Sequence, residues 1–450
     1  MPAFIAHDTR TLVCTRICSL TACFAFGVAV MHHTPLIATE SAMQMIEDAG
    51  QAGMKGDYKK AYDLYSQALK RRPNDAAIYA LRGKILVVTN EPDRAIKDFS
   101  HAIRLDSENL ANYYNRALVY AGVNRYDEAI GDLTIILSST PEDHESRTHR
   151  ARCWLKLNKY DAALQDTEVV LDKHPDYGPA LSLNAETHFE LKNYKFAQEQ
   201  LTHYLNVIPE RDKKNRSITH FLLAMCHERL NEPELALAEY LKSAELDPQS
   251  NGLGNAAATL KTLGRYDEAI ELFSRLIKAN PKNTKAYIGR GSCYSAKGES
   301  ENALKDINIS LQLEPDSAEA WANRAHHFRL VKNKEEAMTA SIKSIQLNPK
   351  SSQAYRTLAL IILEMPEEGD GGPAKALDHA LKACEYSDWE DSSALDTLAA
   401  AYVANGDYVN AHKWLQESMK HNPPAIQTSP GALQHQKEIA EKAAAASTHK

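Results

Sequence analysis

The sequence predicts an all-α fold in which short helix pairs stack along the chain as an α-solenoid. Three observations support this prediction. An alanine recurs about every 34 residues, apolar residues at helical spacing flank it, and Gly, Asn or Pro separates the apolar stretches. With 44% apolar and 25% charged residues among 450, the composition is that of an ordinary globular protein.

The recurring alanine divides the chain into eleven units. The first four steps are 34 residues each, and the next six are 39, 33, 34, 34, 39 and 35 residues. The series is Ala61, Ala95, Ala129, Ala163, Ala197, Ala236, Ala269, Ala303, Ala337, Ala376 and Ala411. We take this alanine as position 20 of each unit and number the other residues from it. In the tenth unit, where five residues are inserted between the helices, the first helix is numbered with Ala359 as position 8.

Each unit has the pattern of two helices joined by a tight turn. In the third unit, one stripe is Tyr113, Ala117 and Tyr120, and the other is Ala129, Leu133 and Ile136. Position 15, between the stripes, favours the left-handed backbone that ends a helix, being Gly56, Asn90, Asn124, Asn158, Asn231, Gly264, Gly298 or Gly406. Proline at position 32 ends the second helix in nine units. One helix pair cannot bury both stripes alone, so neighbouring pairs must stack.

These units resemble tetratricopeptide repeats, which are 34-residue helix–turn–helix motifs. The match covers about 380 of the 450 residues and recurs eleven times, which makes it specific. The last stretch, "ALDTLAAAYVANGDYVNAHKWL", resembles the closing repeat of many bacterial arrays. The resemblance implies a right-handed superhelix whose concave groove is lined by the first helix of each unit.

The period sets the predicted domain boundaries. Residues 1–41 form a leader, 42–423 the repeat array and 424–450 a polar tail or capping helix. The predicted units lie near 42–75, 76–109, 110–143, 144–177, 178–211, 217–249, 250–283, 284–317, 318–351, 352–387 and 392–423. Two polar insertions, 212–216 and 366–373, are predicted to be surface loops.

The leader has the pattern of a secretory signal peptide. Arg10 and Arg16 precede an uncharged, mainly apolar run at 17–31, and the small residues Thr39 and Ser41 suit a cleavage site. We therefore expect export to a periplasmic or extracellular location. The alternatives are an uncleaved segment that anchors the chain in a membrane and an untargeted N-terminus.

Arginine at position 7 accompanies aspartate at position 23 in four units. The pairs are Arg82 with Asp98, Arg116 with Asp132, Arg150 with Asp166, and Arg290 with Asp306. The six units without the arginine lack this aspartate, which predicts structural ion pairs between the two helices of a unit. A fifth arginine, Arg324, has Ala340 at position 23 and needs another acceptor.

The concave groove should be faced by positions 2, 5, 9, 12 and 13, with position 6 at its edge. The candidate peptide-binding residues are Arg152, Lys156, Phe189, Phe221, Met225, Arg229, Asn323, His326, Arg329 and Arg356. Mixed polar and apolar side chains suit a peptide ligand, although an ordinary solvated face has a similar composition. The leading hypothesis is a non-catalytic scaffold that binds a protein or peptide.

The sequence predicts no cofactor, no metal site and no enzyme activity. It has no GxSxG, HExxH, GxxxxGK[ST] or GxGxxG motif. The rival hypothesis is a glycosyltransferase of the O-linked N-acetylglucosamine type, because similar arrays occur beside such catalytic regions. Only about 27 residues follow the array, too few for a nucleotide-sugar fold. The four cysteines outside the leader, Cys153, Cys226, Cys293 and Cys384, are predicted to be packing residues.

Two classes of partner are not expected. The net charge of −7 and the lack of long basic runs argue against nucleic acid. Some proteins with similar repeats use a carboxylate clamp for chaperone C-termini, with Lys and Asn on one unit, Asn on the next and Lys and Arg on a third. Asn115, Asn255 and Asn323 hold the central position, but no triplet supplies the flanking residues. Membrane association is expected only through an uncleaved leader.

The first helix of the seventh unit is expected to be weak. It carries Gly252 and Gly254, and each glycine within a helix costs about 1 kcal/mol relative to alanine.

Overall fold

The computed structural model describes residues 36–367, 369, 371–421 and 441–442. These residues form 22 helices and no strand, so the predicted all-α fold is confirmed. No helix among them has the length and apolarity needed to cross a membrane. The predicted leader up to residue 35 and nearly all of the predicted tail at 424–450 lie outside the described residues.

The helices, numbered in chain order, are α1 (Leu36–Met54), α2 (Tyr58–Arg71), α3 (Ala76–Val88), α4 (Pro92–Leu105), α5 (Leu110–Gly122), α6 (Tyr126–Ser139), α7 (His144–Lys156), α8 (Tyr160–Lys173), α9 (Gly178–Glu190), α10 (Tyr194–Val207), α11 (Lys213–Arg229), α12 (Pro233–Leu246), α13 (Gly252–Thr262), α14 (Tyr266–Ala279), α15 (Thr284–Lys297), α16 (Ser300–Leu313), α17 (Ala318–Leu330), α18 (Lys334–Leu347), α19 (Ser352–Glu364), α20 (Gly372–Glu385), α21 (Ser392–Ala404) and α22 (Tyr408–His421).

The chain divides into two compact units after Val207, the first containing α1 to α10 and the second α11 to α22. Within each unit the helices pack in consecutive pairs. First helices of neighbouring pairs also contact each other, for example α7 with α9 and α17 with α19. Second helices make no comparable contact with one another in the described ranges. The first helices are therefore closer together and form the inner face of each compact unit.

The clusters of the apolar core extend across neighbouring pairs. One core cluster takes buried side chains from α3 to α7, including Phe99, Ala117 and Leu133. A second cluster takes them from α11 to α15. Small residues at positions 8 and 20 permit this close packing, since a Cβ added at Gly83 would lie 3.0 Å from Cε1 of Phe99. Each pair thus completes its core with side chains from its neighbours.

The turn within each pair depends on a left-handed residue at position 15. The residues predicted from sequence all adopt it, with φ between 58° and 80°. The backbone amide of the residue after position 15 then closes the turn. In the second unit, for example, the Glu91 amide donates to the Leu86 carbonyl oxygen at 2.8 Å. Lys192 and Lys332 hold position 15 in the fifth and ninth units and are also left-handed, with φ of 63° and 57°. The geometry therefore follows from the unit position even where glycine or asparagine is absent.

The arginines at position 7 form the predicted pairs with the aspartates at position 23. In the third unit, Arg116 Nε lies 2.8 Å from Asp132 Oδ2 and its Nη2 lies 2.7 Å from Oδ1. The other three pairs are also bidentate, with donor–acceptor distances of 2.7–2.9 Å. The aspartate side chains are 3–7% exposed and the arginines 18–19%. These pairs fasten the two helices of a unit to each other.

Each of these arginines also reaches the preceding unit, a link that the sequence analysis missed. Nη1 of Arg116 donates to Ser100 Oγ at 2.9 Å, and the same contact joins Arg82 to Ser66. The remaining contacts are Arg150 to Thr134, Arg290 to Ser274 and Arg324 to Asn308. All five acceptors occupy position 25. The recurring polar residue at this position could therefore have indicated these contacts from the sequence. Arg324 finds its other acceptor in Glu336, 3.3 Å away.

The prediction of a surface loop at 212–216 is wrong. Residues 213–216 instead form the first turn of α11, which has 17 residues. The side chain of Asp212 accepts from the amide of Asn215 at 3.2 Å and caps this helix. The added residues amount to about one helical turn, so they lengthen the helix without moving its apolar stripe. The second predicted loop, 366–373, overlaps the start of α20, which begins at Gly372; Gly371 and Gly372 have φ of 82° and 62°.

The predicted boundary between leader and array falls inside a helix. α1 begins at Leu36, six residues before the predicted start of the array at residue 42. The helix thus starts within the segment that the sequence analysis assigned to the leader.

The two glycines of α13 have different roles. Gly252 is the first residue of this 11-residue helix, and a Cβ there would lie 2.6 Å from the Tyr240 carbonyl oxygen. Because Gly252 has no side chain, α13 can pack closely on α12. Gly254 is different, because an added Cβ would meet only Leu276 Cδ1, at 4.0 Å. Only Gly254 is expected to weaken the helix.

We predict that Asp132→Ala lowers the free energy of unfolding by about 3 kcal/mol, because it leaves the Arg116 guanidinium partly buried without its carboxylate. Urea unfolding followed by circular dichroism measures this change. Asp127→Ala is the matched control, since Asp127 is 74% exposed and 3.8 Å from Lys159; little change is expected there. Equal effects of the two substitutions would contradict the structural role of the pair.

We predict opposite effects for two glycine-to-alanine substitutions in α13. Gly254→Ala should stabilise the protein by about 0.5–1 kcal/mol, because the helix gains propensity without a clash. Gly252→Ala should destabilise it, because the new methyl group overlaps the backbone of α12. Thermal melts of both variants provide the comparison. Stabilisation by both substitutions would show that α12 and α13 are not packed this closely.

Candidate functional site

The candidate site is the inner face that the first helices form in each compact unit. The predicted groove residues lie on five of these helices: Arg152 and Lys156 on α7, Phe189 on α9, Phe221, Met225 and Arg229 on α11, Asn323, His326 and Arg329 on α17, and Arg356 on α19. The first three belong to the first compact unit and the rest to the second.

In the first compact unit, charged groups meet between α7 and α9. Nζ of Lys156 lies 3.5 Å from Oε1 of Glu186, whose side chain is only 17% exposed. Burial raises the pKa of Glu186, while the nearby Lys156 and Arg152 lower it. Phe189 packs edge-on against Tyr194, with ring centroids 5.1 Å apart. This part of the face combines an aromatic ring with charges of both signs.

Two of the predicted apolar residues also belong to the core. Phe221 packs edge-on against the buried Tyr240, with ring centroids 5.3 Å apart. Both Phe221 and Met225 lie against the core cluster that extends from α11 to α15. They are half-buried, so each contributes to folding and leaves part of its surface on the inner face.

Arg229 forms a salt bridge with a residue that is distant in sequence. Its Nη1 lies 3.4 Å from Oε2 of Glu390, which is 161 residues away and two residues before the start of α21. Both side chains are about half exposed. The contact shows that the inner face of the second compact unit curves enough to bring α11 towards the start of α21.

Asn323 does not offer its amide to a ligand. The side chain is 7% exposed, and Nδ2 donates to the carbonyl oxygen of Glu319 one helical turn earlier, at 3.0 Å. Position 6 is therefore a packing position in this unit.

A group of basic residues, which we call the basic cluster, lies on α13, α17 and α19. It comprises Lys261, His326, Arg329 and Arg356. Burial, together with the smaller effect of its three cationic neighbours, lowers the pKa of His326 to about 3, so the imidazole is neutral at physiological pH. Nη1 of Arg329 lies 2.6 Å from Oε1 of Glu364, whereas Arg356 has no salt bridge within the described ranges. The cluster therefore concentrates positive charge.

Sequence reasoning missed several charged members of this face. Lys261 is at position 12, Glu186 at position 9 and Glu364 at position 13, all of which are groove-facing positions. Applying those positions to every unit would have found them. Glu390 lies before its helix, so no positional rule indicated it.

Metal-binding clusters and cysteine thiols were the two reactive features to look for among the described residues. These residues contain no group of three or more His, Cys, Asp or Glu side chains arranged to hold a metal ion. Cys153, Cys226, Cys293 and Cys384 are buried and unpaired. Burial raises the pKa of Cys293 to about 11 and of the other three to about 12. Such thiols are protonated and weakly nucleophilic at neutral pH.

The repeated helix pairs agree with comparisons to known proteins. Family models described as tetratricopeptide repeats match residues 54–109 and 114–178, residues 219–250, and residues 260–326. Tetratricopeptide repeats are thus detected in these four segments. These matched ranges hold all four Arg–Asp pairs as well as the inner-face residues Arg152, Phe221 and His326.

Individual relatives match short segments of this repeat array. One is the Hsp70-Hsp90 organizing protein 1 of Glycine max, 32% identical over 87 residues, which are 19% of this chain and 15% of that protein. Another is the tetratricopeptide repeat protein 36 of Caenorhabditis elegans, 43% identical over 49 residues, which are 11% of this chain and 27% of that protein. The chain thus matches about a quarter or less of the length of these relatives.

Two solved structures among those that align with this chain illustrate the similarity of the backbone. Yeast Tom70 aligns over 90% of this chain and 96% of its own, with 15% identity and a TM-score of 0.45. The Pseudomonas aeruginosa protein pilF aligns over 48% of this chain and 96% of its own, with 18% identity and a TM-score of 0.40.

We predict that the four buried cysteines do not react with Ellman's reagent in the folded protein. With a pKa of about 12, roughly one thiol in 10,000 is ionised at pH 8. The assay uses the full chain with Cys14, Cys18 and Cys23 replaced by serine, and all four thiols should react once denaturant is added. Rapid modification of any of them without denaturant would contradict their burial.

Proposed function

We propose that this protein is a non-catalytic scaffold that binds a partner protein or peptide on the inner faces of its repeats. We further propose that the array has eleven units of a bacterial type, from residue 42 to residue 423. The 22 helices in the described ranges are consistent with eleven pairs. A scaffold role is consistent with a chain whose repeated helix pairs form both the folded core and the inner face that a partner could contact.

One observation carries the proposal. Side chains at positions 8 and 20, where the helices approach each other, are small and buried, as Ala151 and Ala163 are in the fourth unit. In the same unit the inner-face positions hold Arg152, which is half-buried, and Lys156, which is exposed. The large charged side chains thus lie where a ligand can reach them.

The proposal predicts that partner binding depends on the inner face. Affinity capture with the full chain, followed by mass spectrometry, should recover a discrete partner. Joint replacement of Arg152, Lys156 and Phe189 by alanine should reduce its recovery by about tenfold or more, because a few central contacts dominate most interfaces.

The control for this experiment replaces Lys97, Arg104 and Leu105 by alanine. These residues are exposed on α4, a second helix, and match the inner-face set in having two cations and one apolar side chain. Recovery should remain at the wild-type level. Loss of the partner in both variants, or in neither, would contradict binding on the inner face.

We also propose that residues 1–41 direct export and are then removed, which would place the protein in the periplasm or outside the cell. The support is the basic, apolar and small-residue pattern of that segment. N-terminal sequencing of the native protein should begin near Ala42. Retention of Met1 on protein in the cytoplasmic fraction would contradict export, and retention on membrane-bound protein would indicate an anchor.

A further inference from the structure

Arginine occurs in two contrasting settings in this chain. At position 7, each of four arginines has a bidentate aspartate partner, as in Arg116 with Asp132. At position 5 of the tenth unit, Arg356 is also largely withdrawn from water, yet it forms no salt bridge within the described ranges. Its Nε atom is buried and has no hydrogen-bond partner there. The same side chain is thus neutralised in one setting and left unmatched in the other.

The acidic residues near Arg356 do not neutralise it directly. Burial is the main influence lowering the pKa of Arg356; Asp391 and Asp396 oppose this effect, and Arg329 adds to it. The carboxylate of Asp391 accepts from the Ser393 amide at 2.9 Å and caps α21. Neither aspartate forms a salt bridge with Arg356. The guanidinium therefore retains donor capacity on the inner face.

Two other members of the basic cluster also have a buried polar atom without a partner in the described ranges, although Arg329 is paired through Nη1 with Glu364. Nε of Arg329 and Nδ1 of His326 are also buried without hydrogen-bond partners among the described residues. The charged side chains that act on His326 are all cationic, namely Lys261, Arg329 and Arg356. An unmatched buried charge destabilises a fold, and its cost falls when an anion approaches. A carboxylate suits this role because its two oxygens match the donors of a guanidinium.

The spacing of the cluster favours an extended ligand. Its members lie on α13, α17 and α19, and α15 separates the first two of these helices. Packed helices are about 8–10 Å apart, so the axes of α13 and α19 are about 25 Å apart. A ligand that engages Lys261 and Arg356 together therefore needs at most roughly eight residues of extended chain.

We propose that the basic cluster binds an acidic segment, rich in Asp or Glu, of the partner protein. Arg356 receives a carboxylate of this segment, and Lys261 attracts its far end. This inference rests on the proposed function, since it specifies the chemistry of the peptide that the inner face holds.

The test is selection of random peptides of about 16 residues, twice the estimated span, on the immobilised full chain. Wild-type protein is compared with Arg356→Met, and Arg275→Met is the control because Arg275 is exposed on the second helix α14. Peptides enriched by the wild-type protein and the control should be rich in Asp and Glu. Their affinity for Arg356→Met should fall about tenfold, as expected for the loss of one charge-assisted pair.

The melting temperatures provide a second readout. Arg356→Met should raise the melting temperature, because it removes an unmatched charge, whereas a purely structural arginine would lower it when replaced. Arg275→Met should leave it unchanged.

Three outcomes would overturn the inference. Selected peptides without acidic enrichment would refute it while leaving the proposed function intact. Unchanged acidic-peptide binding by Arg356→Met, or a lowered melting temperature, would also refute it alone. Failure to enrich any peptide above the bare support would contradict both the inference and the proposed function.

Discussion

The structure depends on the inability of one helix pair to bury its own apolar surface. Two of the core clusters each take side chains from five consecutive helices, so the pairs they contain are completed by their neighbours. Close approach requires small residues at fixed positions and a left-handed turn in the middle of each unit. These constraints fix the spacing of the first helices, and with it the positions of all side chains on the inner face.

Polar contacts add a second level of coupling. Arg116 joins Asp132 in its own unit and Ser100 in the unit before, so one side chain connects three helices. Arg356 is the opposite case, because it faces inward without a salt bridge in the described part of the chain. The proposed binding role follows from this difference: the paired arginines hold the scaffold, and the unmatched one is available to a ligand.

The period predicted the helix pairs, the turns and the Arg–Asp pairs, because these depend on contacts within a unit or between adjacent units. Contacts that depend on accumulated curvature could not be predicted, as the approach of Arg229 to Glu390 shows. The insertion at 212–216 was misread because its polar composition is compatible with both a loop and an added helical turn. Gly252 was read as weakening α13, although its close contact with Tyr240 is visible only in the packed structure.

Deletion of one complete unit tests the dependence on neighbours most directly. Removing residues 109–142 takes out 34 residues, keeps the Asp143 cap of α7 and brings Arg150 opposite Ser100, which can replace its contact with Thr134. Circular dichroism should show unchanged helicity per residue and cooperative melting. Removing only 126–142, which contains α6, should instead unfold the neighbouring pairs. Loss of helicity after the whole-unit deletion, or tolerance of the half-unit deletion, would contradict a fold built on stacked pairs.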